Sequence, residues 1–95
     1  MQRTGKRRKT PCLVMVWCSS ERERPRFGLT VSRKVGNAVV RNRVKRQLRE
    51  SIRRQRHGLT HLDVVFIARP DAANADHHQL FDQVGSLLAA LRSAR

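Results

Sequence analysis

The chain has 95 residues, which is enough for one small domain with a single hydrophobic core. Lys and Arg number 21 against 7 Asp and Glu, so the formal net charge is +14 and the isoelectric point lies near 11.9. This excess of positive charge indicates a polyanionic partner. An anionic membrane would also suit it, but no apolar run approaches the roughly 20 residues that span a bilayer. Nucleic acid is therefore the favoured partner.

The chain is predicted to be one domain, residues 1–95, in which residues 1–11 form a basic N-terminal extension. This extension lacks the long apolar stretch and cleavage site of a secretory signal, so a cytoplasmic location is expected. Residues 12–18 form an apolar, Val-rich run, which predicts a strand covered on both faces. Cys12 and Cys18 would lie about 20 Å apart along that strand, too far for a mutual disulfide.

A second strand is predicted over residues 26–32, where Phe27, Leu29 and Val31 alternate with small or polar residues. The charged turn at residues 21–25 connects it to the first strand. We therefore expect these two strands to pair as a hairpin.

Two helices and a third strand complete the predicted elements. Asn37 is a suitable N-cap for a helix that runs to about residue 56, and Gly58 suits its C-terminal stop. A buried strand over residues 63–69 and a helix over residues 74–92 follow. The order strand, strand, helix, strand, helix predicts an α/β (α+β) two-layer sandwich in which the first helix is a crossover between two strands.

The first predicted helix has an apolar side and a basic side. Its apolar stripe comprises Val40, Val44, Leu48 and Ile52. Its opposite side presents Asn42, Arg46, Arg49 and Arg53. Glu50 is the only acid between residues 33 and 56, so like charges repel along the helix unless an anion neutralises them. Because Arg donates paired hydrogen bonds to phosphate, this pattern predicts phosphate binding without separating RNA from DNA.

Residues 26–46, RFGLTVSRKVGNAVVRNRVKR, closely resemble the signature of the bacterial ribonuclease P protein family, including its Arg-Asn-Arg motif at residues 41–43. Residues 63–70, DVVFIARP, also resemble that family's last strand. The resemblance extends from about residue 10 to residue 92. It implies a fold like that of ribosomal protein S5 domain 2, with a left-handed βαβ crossover through the Arg-Asn-Arg helix, whereas right-handed crossovers are the general rule.

The resemblance implies the protein subunit of an endoribonuclease, which binds the catalytic RNA and the 5′ leader of precursor tRNA. The catalytic groups and the required Mg²⁺ would belong to the RNA–protein complex, so the protein alone would be inactive and would hold no cofactor. Its partners would be ribonuclease P RNA and precursor tRNA, with no membrane and no small-molecule substrate. The residues expected to bind the RNA subunit are Arg33, Lys34, Asn37, Arg41, Asn42, Arg43, Lys45, Arg46, Arg49 and Arg53. One face of the sheet would hold the leader through Leu13, Met15 and Trp17.

Two departures from the family pattern concern leader binding. The family usually has an N-terminal helix whose aromatic residues line the leader cleft, and residues 1–11 contain no counterpart. The family also often has an aromatic residue where Met15 stands, and stacking on an aromatic ring contributes about 1–3 kcal/mol per base. Weaker leader binding is therefore expected.

Two other functions remain open. A general RNA-binding or ribosomal protein could use the same basic helix without promoting tRNA 5′ maturation. A self-sufficient nuclease would need paired carboxylates, but the 7 acidic residues are scattered without the spacing of a two-metal site. His77 and His78 could ligate a metal or act as a base. Adjacent residues point about 100° apart on a helix, however, which favours solvated histidines.

Overall fold

A computed structural model describes residues 5–93, which form one four-stranded sheet with both helices packed on one face. The elements are β1 (Lys6–Lys9), β2 (Leu13–Ser19), β3 (Arg26–Thr30), α1 (Ala38–Gln55), β4 (Leu62–Ala68), a 3-10 helix (Pro70–Asn74) and α2 (His77–Ser93). The strand order is β1-β2-β4-β3, and the β3–β4 pair is parallel whereas the others are antiparallel. The predicted α/β two-layer sandwich is confirmed.

The predicted hairpin between the strands now named β2 and β3 is wrong, because β4 lies between them. Phe66 of β4 is opposite Met15 of β2 on one side and Leu29 of β3 on the other. The segment between β2 and β3 therefore crosses the end of the sheet and does not form a tight turn. As predicted, α1 connects two strands of the sheet, the parallel neighbours β3 and β4. The left-handedness of this crossover stays a prediction.

The basic N-terminal extension contains a strand that was not predicted. Lys6–Lys9 pairs antiparallel with β2, while residues 1–4 of the extension lie outside the described residues. Four consecutive cations have no apolar alternation, so their sequence carries no strand signal. The segment is fixed after β1 by Gln83 of α2, whose Oε1 accepts hydrogen bonds from Thr10 Oγ1 at 2.5 Å and from the Cys12 backbone N–H at 2.9 Å.

The two faces of β2 differ in burial. Leu13 and Met15 are completely buried beneath the helices, whereas Val14 and Val16 are half-buried on the opposite face. The prediction of a strand covered on both faces is therefore wrong. On the same side as Val16, Val65 of β4 is 38% exposed. We call this side of the sheet the open face; its central residues are Val14, Val16, Cys18, Val65 and Ile67.

Both ends of α1 follow the predicted signals. Asn37 is the N-cap, and its side-chain Oδ1 accepts a hydrogen bond from the Val40 backbone N–H at 3.0 Å. At the other end Gly58 has φ +79°, a left-handed conformation that suits glycine. Arg92 of α2 donates hydrogen bonds to the carbonyl oxygens of Gln55 and His57, which satisfies acceptors that the end of α1 leaves without partners.

Helix α2 begins three residues later than predicted, because Pro70–Asn74 forms a separate 3-10 helix. The true start is marked by a capping box. Asp76 Oδ1 accepts from the Gln79 backbone N–H at 2.8 Å, and Gln79 Oε1 accepts from the Asp76 backbone N–H at 2.9 Å. The pair of Asp76 and Gln79 is therefore a stronger signal for the start of a helix than Asn74, where α2 was predicted to begin.

The two helices approach closely at Gly85 of α2. A Cβ atom at this position would collide with Oε1 of Gln55 on α1. Gln55 Nε2 donates hydrogen bonds to the Phe81 carbonyl at 3.0 Å and to the Ser51 carbonyl at 3.2 Å. Glycine in the middle of α2 thus makes room for a side chain that joins the two helices. In the described part of the chain, neither helix is long and apolar enough to span a membrane.

Candidate RNA interface

The exposed side of α1 is the most basic surface of the helix layer. The predicted apolar stripe is confirmed, since Val44, Leu48 and Ile52 are buried and Val40 is half-buried. The residues predicted on the opposite side are all exposed: Asn42, Arg46, Arg49 and Arg53. The helix contains seven Lys and Arg residues and one acid. It therefore packs by one face and presents a row of cations on the other.

Two of the predicted cations are already engaged within the protein. Arg53 forms an ion pair with Glu50 at 2.7 Å, and this contact raises the pKa of Arg53 and lowers the pKa of Glu50. Arg43 Nη2 donates a hydrogen bond to the Ala73 carbonyl at 2.6 Å. Arg43 thereby holds the 3-10 helix against α1. Its half-buried side chain has a structural task in addition to any contact with RNA.

Arg46 and Arg49 are free to bind an external anion. Both side chains are exposed, and among residues 5–93 neither makes a hydrogen bond or an ion pair. Arg33 and Lys34 are also exposed, in the turn that leads into α1. A guanidinium group that has no partner within the protein can bind phosphate without first breaking an internal contact. These four residues form the best-prepared part of the predicted interface.

The other predicted RNA-binding residues surround this row. Asn37 is exposed, although its side-chain oxygen is used in the N-cap bond. Arg41 and Lys45 are half-buried. The Nε atom of Arg41 is buried and has no hydrogen-bond partner within the described residues.

Two of the three predicted leader-binding residues are inaccessible in the folded protein. Leu13 and Met15 have no exposed area and lie in the core beneath the helices. Trp17 shares their side of β2 and packs partly against the same core. Leu13 and Met15 could contact a leader only if the core opened, so their burial speaks against this assignment, whereas leader contact by the half-buried Trp17 stays a prediction. The neighbouring residues of β2, Val14 and Val16, are the more accessible ones, because alternate side chains of a strand point to the open face.

The histidine pair at the start of α2 and the two cysteines lie in different parts of the fold. His77 and His78 lie side by side with ring centroids 6.3 Å apart, and the His77 ring is 6.4 Å from that of Phe81. Cys12 and Cys18 are both free thiols, as predicted. Among residues 5–93, no three His, Cys, Asp or Glu side chains come together as a possible metal site.

Comparison with known proteins identifies the family. The family model for ribonuclease P matches residues 1–92. The ribonuclease P protein component of Desulforapulum autotrophicum is 35% identical over 88 residues, which cover 92% of this chain and 75% of that protein.

Solved structures agree as well. The RNase P protein of Staphylococcus aureus matches with a TM-score of 0.84 and 30% identity, over 92% of this chain and 81% of that one. The RNase P protein from Thermotoga maritima matches with a TM-score of 0.80 and 28% identity, over 88% of this chain and 81% of that one. The chain belongs to the ribonuclease P protein family.

Proposed function

We propose that the chain is the protein subunit of a ribonuclease P, and that it binds the RNA subunit through α1 and the turn before it. The observation that carries this proposal is the row of exposed cations on α1, of which Arg46 and Arg49 have no internal partner among the described residues. Their charges lower the repulsion between phosphates that must lie close together in a folded RNA. The protein then acts by placing and stabilising RNA strands.

The catalytic groups belong to the RNA in this proposal, and Mg²⁺ is required by the complex. The protein's part in substrate recognition is to hold the 5′ leader of precursor tRNA. The open face suits this role better than Leu13 and Met15, which are buried in the core. Arg7 and Lys9 of β1 are paired with Val16 and Val14, so their side chains flank the open face. An aliphatic surface with adjacent cations can contact bases and phosphates of a single strand.

Reconstitution tests the proposed function. The purified protein is combined with a bacterial ribonuclease P RNA, and cleavage of precursor tRNA is measured at low Mg²⁺, where phosphate repulsion limits the RNA most. We expect the protein to raise the cleavage rate and to be inactive without RNA. Binding to RNA without any increase in cleavage would favour a general RNA-binding protein. Cleavage at the mature 5′ end by protein freed of RNA would overturn the assignment of catalysis to the RNA.

A further inference from the structure

A groove separates the edge strand β3 from the C-terminal half of α1. Its volume is about 390 Å³, and its lining residues are Phe27, Leu29, Arg49, Ile52, Arg53 and Arg56. Within residues 5–93, strand β3 pairs with β4 alone, so the groove lies along an edge of the described sheet. The groove lies at the end of the row of cations on α1 but extends beyond the residues assigned above to the RNA subunit.

The floor of the groove is apolar and contains an aromatic ring. Phe27 and Leu29 are half-buried on the helix side of β3, and Ile52 closes the floor from α1. The guanidinium of Arg56 lies over the Phe27 ring, with its central carbon 5.9 Å from the ring centroid, so a base that stacks on Phe27 must displace it or stack beside it. An aromatic ring beside a guanidinium plane is a surface on which a nucleic-acid base can stack.

The rim of the groove is positively charged. Arg49, Arg53 and Arg56 provide three guanidiniums, and no acidic side chain is among the lining residues that the structure describes. Arg53 is paired with Glu50, but Arg49 and Arg56 make no ion pair within residues 5–93. The groove therefore combines a site for a flat apolar group with sites for an anion a few ångströms away.

We propose that this groove binds one unpaired nucleotide of an RNA strand, with its base against Phe27 and its phosphate on Arg49 and Arg56. The interior bases of a duplex cannot occupy it, because they are stacked inside the helix and cannot reach an apolar floor. The proposal rests on the proposed function, in which α1 binds RNA. It adds Phe27 and Arg56 to the interface and identifies an unpaired nucleotide as the feature recognised.

Two RNA probes test the proposal: a single-stranded decamer of adenosine and a ten-base-pair blunt duplex. Loss of base stacking typically reduces affinity about 5- to 150-fold. We expect Phe27→Leu to weaken binding of the single strand about fivefold or more and to leave duplex binding unchanged. Phe81→Leu is a matched control, because Phe81 is also half-buried with a guanidinium, that of Arg54, at 5.8 Å. It should leave the affinities for both probes unchanged.

Fluorine NMR provides a test that does not depend on a substitution being tolerated. The chain has three phenylalanines, and 4-fluorophenylalanine can replace all of them in the otherwise natural protein. The Phe27 resonance should shift when the single strand is added and should stay in place when the duplex is added. Phe66, which is completely buried, serves as the internal reference. A Phe27 resonance that does not respond to the single strand overturns the proposal.

The proposed function and the groove can fail separately. Arg46 lies outside the groove, so Arg46→Ala should weaken binding of both probes by a similar factor. If Arg46→Ala has this effect and Phe27→Leu changes neither affinity, the groove is not a nucleotide site although α1 still binds RNA. If Arg46→Ala also has no effect, the proposed function itself is wrong. An equal loss of both probes in Phe27→Leu would also overturn recognition of an unpaired nucleotide.

Discussion

Replacing both Arg46 and Arg49 by Ala removes two exposed guanidiniums from α1 without touching its packed side. Within the described residues neither side chain has a hydrogen bond or an ion pair to lose. Ala also has the highest helix propensity, so the free energy of unfolding should change by less than about 0.5 kcal/mol per site. Urea denaturation checks that the variant is folded. Any large change in RNA affinity can then be assigned to the lost charges.

The expected effect on RNA binding follows from counterion release. Each lost phosphate contact lowers the slope of log K against log salt by about 0.7–0.9, so two contacts lower it by about 1.4–1.8. Between 50 and 200 mM salt, the affinity advantage of the natural chain over the variant should therefore shrink about 7- to 12-fold. Filter binding to ribonuclease P RNA without substrate, at several salt concentrations, measures this slope directly.

A matched control separates position from net charge. Arg22→Ala with Arg24→Ala removes the same charge from exposed residues between β2 and β3, which are not part of α1. We expect the control to change the slope much less than the α1 variant. If the two double variants show the same slope, binding follows overall charge and α1 is not the interface. An α1 variant with the affinity and slope of the natural chain would refute the reasoning altogether.

Three further results are expected. Glu50→Gln releases Arg53 from its ion pair, so affinity for the RNA subunit should rise and the salt slope should steepen by up to about 0.9, in the same filter-binding assay. Asn37→Ala should lower the free energy of unfolding by about 1 kcal/mol in urea, whereas Asn37→Asp should keep the cap and the stability but weaken RNA binding through its charge. Met15→Leu should leave the preference for precursor over mature tRNA unchanged, and Val16→Tyr on the open face should increase it about fivefold or more by stacking. Equal preferences in the Val16→Tyr variant and the natural chain would exclude the open face as the leader site.

Helix α1 could be predicted in detail because its determinants are local. The N-cap at Asn37, the stop at Gly58 and the 3.6-residue period of its apolar stripe all lie within the helix or next to it. The same period places Arg46 and Arg49 on the exposed side of the helix without reference to any tertiary contact. A surface that lies on one face of one helix follows from its own sequence.

The faces of β2 could not be assigned in this way, because both alternate sets of its residues are apolar. Met15 and Val16 have similar hydrophobicity, so alternation gives no contrast between the core side and the open face. The neighbouring strand held a usable signal. Asp63 is the polar residue of β4, and it lies on the same side of the sheet as Val65 and opposite Cys18 in register. This signal can be used only when β4 is known to pair with β2. The order of the strands along the chain suggests instead that β3 is the neighbour of β2.

The groove was also beyond prediction from sequence alone. Phe27 was assigned to a strand face and Arg56 to the end of a basic helix, and nothing in either segment indicates their proximity. They meet because β3 lies parallel to β4 at the sheet edge beneath the last turn of α1. Sites formed between two elements depend on packing geometry, which the local pattern of each element does not contain.

The central position of β4 determines the order in which this protein can fold as it is synthesised. Until residues 62–68 leave the ribosome, β2 and β3 have no strand to join them, and among the strands of residues 5–93 only β1 and β2 can pair, as a hairpin. An isolated two-stranded hairpin is marginally stable at best. During this interval α1, with its many cations, has no sheet to pack on. Helix α1 can therefore pack on the complete sheet only after its central strand has been synthesised.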